Sequence, residues 1–377
     1  MKKLKVITIV GTRPEIIRLS RVMARLDEFV DHKIVHSGQN YDYELNQLFF
    51  DDLEIRKPDY FLNVDVSSLG ATVGDIMRKT EAVLLKEKPG ALLVLGDTNS
   101  CLSAYMAKRM HIPIFHMEAG NRCFDFNVPE ETNRRIIDHI ADFNLVYTEH
   151  ARRHLISEGL PHKRIYLTGS PMKEVLDYYM QKIKLSNILE SLSLKAKSYF
   201  IVSTHREENV DNPSNLKKIL NILKRIELYY KLPIIVSTHP RTRKRIESLR
   251  ENFNSDKIAF LKPFGFTDYI NLQMNSLCTI SDSGTISEES AILNFPAISM
   301  RESMERPESQ DTGSIILTGF DEDVVLNSID ALKKQHENNK SFETPVEYQI
   351  KNTSWRVLNL ILGNSKLSNR WNGIINY

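Results

Sequence analysis

The stretch SLCTISDSGTISEES, residues 276–290, runs an apolar segment into a small polar turn and then into what reads as a helix. Such a turn at a strand's carboxyl end marks a strand–turn–helix unit. A helix start presents unpaired N–H groups and a partial positive charge, which attract phosphate. Ser283 and Gly284 let a ligand approach the backbone closely, and Ser283 also offers a hydroxyl. Glu289, further along, is placed to reach a ribose diol. Asp282 suits a cap or an orienting role better than a phosphate contact. Taken alone, the turn is better explained by a bare N-cap at Ser283. The turn has neither a Walker lysine nor GxGxxG spacing. Countercharge for a phosphate must then come from arginines, and Arg13, Arg206 and Arg306 stand in strand-end or loop segments.

The same unit recurs in both directions along the chain. Short β-branched runs occur at Leu4–Val10, Lys33–His36, Ala91–Leu95, Pro113–His116, Asn144–Tyr147 and Arg164–Leu167. A second series occurs at Tyr199–Ser203, Pro233–Ser237, Ile258–Leu261, Cys278–Ser281 and Ala297–Met300. Helical patterns fill most gaps, so the reading is βαβ units on parallel sheets. The helical stretch Met172–Lys197 separates the series. The expected architecture is α/β, with two Rossmann-like doubly wound domains facing a cleft. Residues 1–171, joined by a closing helix over 354–377, would form one domain and residues 172–353 the other. A chain of 377 residues suits about two domains.

Composition narrows the class. Hydrophobic residues make up 41% and charged residues 26%, with a net charge of +2, so no basic field argues for nucleic acid. Cys101, Cys123 and Cys278 show no CxxC spacing and cannot all pair, which suits a reducing cytosol. The run Val6–Val10 after the basic start is too short for a signal peptide, and no stretch of about 18 apolar residues suggests a membrane span. A cytoplasmic enzyme is expected.

The residues just beyond each strand carry the chemistry. The strand ends lead into Gly-Thr-Arg-Pro-Glu, Gly-Asp-Thr, Met-Glu-Ala-Gly-Asn-Arg, Thr-His-Arg-Glu-Glu-Asn, Thr-His-Pro-Arg and Asp-Ser-Gly-Thr. Ligands of open α/β sheets bind outside the carboxyl ends of the strands. Any one loop reads as an ordinary cap, but six charged loops together read as a site. Asp97, Glu118, Glu130 and Glu131 fall in loops of the first half, and His205 and His239 in loops of the second. Carboxylates and a histidine across a cleft suit proton transfer at carbon or oxygen. There is no HExxH and no Cys/His zinc spacing. Asp321-Glu-Asp323 precedes a helical pattern and reads as a cap rather than a metal site.

In order along the chain stand GTRPE (Gly11–Glu15), GDT (Gly96–Thr98), EAGNR (Glu118–Arg122), PEETNR (Pro129–Arg134), TGSP (Thr168–Pro171), THREEN (Thr204–Asn209), the Asp282–Gly284 turn and MERPE (Met304–Glu308). This set resembles the non-hydrolysing UDP-N-acetylglucosamine 2-epimerase family. The resemblance implies a GT-B-like fold, a UDP-sugar substrate, and no metal or redox cofactor. It implies loss of the C2 proton with loss of UDP from C1, then return of both through a 2-acetamido glycal. It assigns proton transfer to Asp97, Glu118 and Glu130, with His205 in the same catalytic set and on the diphosphate. It places Arg13, Arg306 and the Ser283–Gly284 turn on the diphosphate and Glu289 on the ribose. Arg134 joins the carboxylate cluster, and Arg18, Arg134 and His239 complete the substrate-binding set. We expect a homodimer.

The chain departs from the usual family pattern at Arg18 (lysine), Asn121 (leucine) and Ser170 (asparagine), and at Gly38–Tyr43, where bacterial members carry a Gln-His-Arg segment tied to allosteric UDP-N-acetylglucosamine. These variants resemble a subgroup that converts UDP-2-acetamido-2,6-dideoxy-L-talose to UDP-N-acetyl-L-fucosamine for capsule or O-antigen synthesis. Plain UDP-N-acetylglucosamine epimerisation, a GT-B glycosyltransferase and a catalytically dead sugar-nucleotide sensor are the competing readings.

Overall fold

In a computed structural model of the chain, residues 3–38, 50–204, 209, 212–238, 255–338 and 343–374 are described. Two compact units form: Met1–Tyr178 with Glu347–Tyr377, and Tyr179–Val346. His205, Arg206 and His239, and most of the Gly38–Tyr43 variant segment, lie outside the described residues.

The first unit is built on β1 (Lys5–Val10), β2 (Asp31–His36), β3 (Tyr60–Phe61), β4 (Ala91–Leu95), β5 (Ile114–Met117), β6 (Phe143–Val146) and β7 (Ile165–Leu167). They pair in parallel in the order β3-β2-β1-β4-β5-β6-β7. Helices cover a parallel sheet on both faces, so its strands are continuously apolar rather than alternating. Every residue from Val6 to Val10 and from Ala91 to Leu95 is accordingly buried. The Arg13–Phe29 helix opens on Pro14, whose missing N–H is harmless in a first turn. Ser68 caps the Leu69–Glu87 helix by accepting from the Ala71 N–H at 3.1 Å, and Lys88, at φ 49°, ends it. The closing helix, Thr353–Trp371, belongs to this unit. Ser354 donates to Glu174 at 2.5 Å, and Trp355 packs on Phe29 at 5.3 Å and beneath Arg25 at 4.1 Å.

The second unit carries β8 (Phe200–Ser203), β9 (Ile234–Ser237), β10 (Ile258–Leu261), β11 (Cys278–Ser281), β12 (Ala297–Ser299) and β13 (Ile316–Leu317). Their order is β10-β9-β8-β11-β12-β13, again all parallel. Its core interleaves Val202, Ile280 and Ile298 with Ile219, Leu223, Val325 and Ile329 from the Pro213–Tyr230 and Glu322–Glu337 helices. Asp321 accepts from the Asp323 and Val324 N–H groups at 3.0 and 2.9 Å, so the Asp-x-Asp sequence is a helix cap.

Both sheets reverse winding direction at one point, between β1 and β4 and between β8 and β11. Those are the crevices where doubly wound folds hold ligands. Two edge strands, β3 and β13, were not expected from the sequence. No helix among the described residues is long and apolar enough to cross a membrane.

Candidate active site

The switch point of the first unit gathers carboxylates. Glu15 sits in the first turn after β1 and is buried. Its side chain accepts from the Gly11 and Thr12 N–H groups and from the Thr98 hydroxyl, tying the β1 turn to the β4 turn. Burial pushes this carboxyl up to about 7; the hydrogen bonds from Thr98, Gly11 and Thr12 oppose the rise, and the charge of Asp97 adds to it. Asp97, next to Thr98, accepts from Arg134 Nε at 2.6 Å. Its carbonyl accepts from Asn133 at 2.9 Å.

Glu118, at the end of β5, holds a left-handed backbone, φ 65°. A non-glycine residue there carries local strain of about 1–3 kcal/mol. The carboxylate accepts from Arg18 Nη1 and from Asn121 Nδ2, the latter at 3.1 Å, and is 9% exposed. A Cβ added to Gly96 would lie 3.8 Å from Glu118 Oε2, so the Glu118 carboxylate reaches the β4 turn at the residue before Asp97.

A buried framework holds both turns. His116 Nε2 donates to the Gly96 carbonyl at 2.9 Å, and its Nδ1 lies 2.9 Å from Asp138 Oδ1. Asp138 accepts from the Gly120 N–H at 3.2 Å and from Arg122 at 2.7 Å. Arg122 in turn forks onto Glu158 at 2.8 and 2.7 Å. Glu131, fully buried, accepts from the Cys123 N–H, Arg134 and Arg135, at 3.1, 3.3 and 3.0 Å. It therefore braces the loop and Arg134, while Glu130 beside it stays half-buried at the helix start. Arg13 is half-buried at the N-terminus of its helix, and Arg18 one turn later is buried on Glu118.

The switch point of the second unit carries the Asp282–Gly284 turn. Thr285, not Ser283, stands at the N-cap position of the Ile286–Leu293 helix, and its side chain makes no capping hydrogen bond. The Ser283 N–H donates to Ser281 Oγ at 3.0 Å, and Ser283 Oγ lies 3.0 Å from Thr285 Oγ1. Ser283 and Gly284 stay half-buried. Asp282, fully buried, accepts from Asn209 Nδ2 at 2.9 Å. Glu289 accepts from Gln273 at 2.8 Å. Arg306 Nη2 lies 3.2 Å from Glu288 Oε2, with both side chains buried.

The sequence thus pointed to Asp97, Glu118, Arg18, Arg134 and the Ser283 turn. It did not single out Glu15, His116, Asp138 or Gln273. Glu15 was visible only as the last residue of the Gly11–Glu15 strand-end motif, with no role given to it. The other three sit inside apolar strand or helix patterns that carry no polar signal of their own.

Chemically, the first unit holds two adjacent carboxylates, each fixed by an arginine, and the second holds a helix start with small hydroxyl residues and a glutamate on the following turn. The family model for UDP-N-acetylglucosamine 2-epimerase matches residues 24–362. A UDP-N-acetylglucosamine 2-epimerase from Methanococcus maripaludis is 35% identical over 96% of this chain and 99% of its own. A structure of UDP-N-acetylglucosamine 2-epimerase from Rickettsia bellii is 51% identical, superposing with a TM-score of 0.91 over 98% of each chain. The Methanocaldococcus jannaschii UDP-GlcNAc 2-epimerase in complex with UDP-GlcNAc and UDP is 32% identical, with a TM-score of 0.90 over 96% of this chain and 100% of its own. The chain belongs to the UDP-N-acetylglucosamine 2-epimerase family and is an isomerase, a UDP-sugar 2-epimerase.

Proposed function

We propose that the chain converts UDP-2-acetamido-2,6-dideoxy-L-talose to UDP-N-acetyl-L-fucosamine, working in the cytoplasm as a homodimer in capsule or O-antigen synthesis. A carboxylate takes the C2 proton while the C1–O bond breaks and its electron pair leaves with UDP. A second carboxylic acid then protonates C2 of the 2-acetamido glycal on the other face, and the UDP oxygen returns to C1. The observation that carries this reading is the pair Asp97 and Glu118 on neighbouring strand ends, held by Arg134 and Arg18. Glu130 completes the acid–base set. Arg13, His205, Arg306, Ser283 and Gly284 take the diphosphate, Glu289 takes the ribose, and His239 belongs to the UDP-sugar-binding set.

Two subgroup positions bear on the sugar. Arg18 and Asn121 both touch Glu118, so the residues that depart from the usual family pattern contact a proposed proton carrier. In the loop after Asn121, Phe124 and Phe126 are 64% and 71% exposed and offer apolar faces to a C6 methyl group. The rival substrate, UDP-N-acetylglucosamine, is favoured by the family description and by the names of the relatives.

Both readings are separated by turnover in deuterated water. The 6-deoxy-L-talo nucleotide should be the better substrate and should acquire deuterium at C2. Asp97→Asn and Glu118→Gln should each lower turnover by about 10²–10⁴-fold, the usual worth of a positioned acid or base. UDP affinity should persist in both variants. Equal or faster turnover of UDP-N-acetylglucosamine would overturn the substrate, and products without C2 deuterium would overturn the mechanism.

A further inference from the structure

Gln273 stands on the Phe266–Asn275 helix and is 1% exposed. Its Nε2 donates to Glu289 Oε2 at 2.8 Å. Its Oε1 is sealed from solvent and has no hydrogen-bond partner among the described residues. A buried carbonyl without a donor is destabilising, and an apolar side chain of similar length would fill the space without that penalty. The amide is therefore explained by its other end, which meets Glu289 and the Tyr269 phenol.

That bond has a directional consequence. A neutral donor on one carboxylate oxygen restrains the plane of the group. Tyr269, four residues earlier on the same helical face, borders the same group. Burial and then the Glu289 charge push its phenol up, while hydrogen bonds with Ser203 and Gln273 oppose the rise. Two polar side chains of one helix, Tyr269 and Gln273, thus meet Glu289.

We propose that Gln273 is a positioning residue for nucleotide binding, setting the plane of the Glu289 carboxylate so that it accepts from the ribose diol of a uridine nucleotide. The inference rests on the placement of Glu289 on the ribose under Proposed function.

The test is calorimetric titration of the full chain with UDP and with 2′,3′-dideoxy-UDP, which lacks both hydroxyls. Gln273→Met should weaken UDP binding about tenfold and change dideoxy-UDP binding by about twofold at most. In a Glu289→Ala background, Gln273→Met should leave UDP affinity unchanged. Gln273→Asn, which keeps the amide but shortens its reach, should act in the same direction and serves if the methionine variant fails to fold. An equal loss for both nucleotides would reduce Gln273 to a packing residue and overturn the inference, as would an unchanged UDP affinity. A wild-type protein that binds UDP but does not prefer it to the dideoxy form would remove Glu289 from the ribose, and the inference with it. Failure of the wild type to bind UDP at all would instead strike the proposed function.

Discussion

Glu15 is pulled in two directions. The helix N-terminus, two backbone N–H groups and the Thr98 hydroxyl favour its charged form, whereas burial disfavours it, and burial dominates. Its carboxyl is raised from 4.5 to about 7, so between those values the folded protein holds a proton that the unfolded chain has released. Folding stability from this group is therefore fully present below about pH 4.5 and is lost as pH rises to about 7. Glu15→Gln keeps an acceptor for Gly11 and Thr12 and cannot ionise. The variant should match wild type near pH 5 and exceed it by about 3 kcal/mol at most at pH 8. Chemical denaturation at the two pH values measures this. A stability difference independent of pH would show that the helix terminus keeps Glu15 ionised throughout. At this scale the sequence spoke where polarity was out of place. Asp97 and Glu118 were legible because charge at the end of an apolar strand needs a reason. Glu15 was not, because a glutamate in the first turn of a helix already has one.

Gly120 shows how the elements hold those residues. Its φ is 79°, and a Cβ there would lie 2.3 Å from the Ala151 carbonyl oxygen and 3.0 Å from Leu155 Cγ, on the Glu149–Ser157 helix. Gly120→Ala should cost roughly 2–5 kcal/mol, from left-handed strain plus overpacking. Because the Gly120 N–H is anchored on Asp138, the shift should also displace Glu118 and lower activity in the fraction that stays folded. Gly159→Ala is the control. Its φ is 86° but no atom lies within 4 Å of the added Cβ, so it should lose only about 1–2 kcal/mol of backbone strain. Thermal midpoints of the two variants give the comparison, and equal midpoints would mean that the helix yields. Most of the sheet was legible in the sequence, because buried parallel strands are unbroken β-branched runs. Tyr60–Phe61 and Ile316–Leu317 escaped, because two residues make no run and an edge strand exists only through the neighbour it pairs with.

The whole molecule divides the proposed acid–base carboxylates from the proposed ribose contact by unit. Asp97, Glu118, Glu130 and their arginines belong to the unit completed by the Thr353–Trp371 helix, so the carboxylate site depends on both ends of the chain. The other unit is one unbroken segment, Tyr179–Val346, with a complete six-stranded sheet and its own core around Val202, Ile280 and Ile298. Domains with a self-contained core fold alone. The segment 179–346, produced by itself, should unfold cooperatively in denaturant. It retains Ser283, Gly284, Glu289, Gln273 and Arg306 but lacks Arg13, so it should bind UDP more weakly than the full chain does, and bind 2′,3′-dideoxy-UDP more weakly still. It has neither Asp97 nor Glu118, so it should leave the C2 proton of any UDP-2-acetamido sugar unexchanged in deuterated water. The segment 1–178, by contrast, lacks the closing helix and exposes the packing partners of Val357, Leu358 and Ile361, so it should aggregate or melt without a transition. A folded 179–346 that ignores UDP, in a full chain whose UDP affinity survives Arg13→Ala, would move nucleotide recognition to other residues of the first unit and remove the Ser283 turn from the site. Proton exchange by that segment alone would be the stronger reversal, since it would take the chemistry away from the Asp97 and Glu118 strand ends altogether.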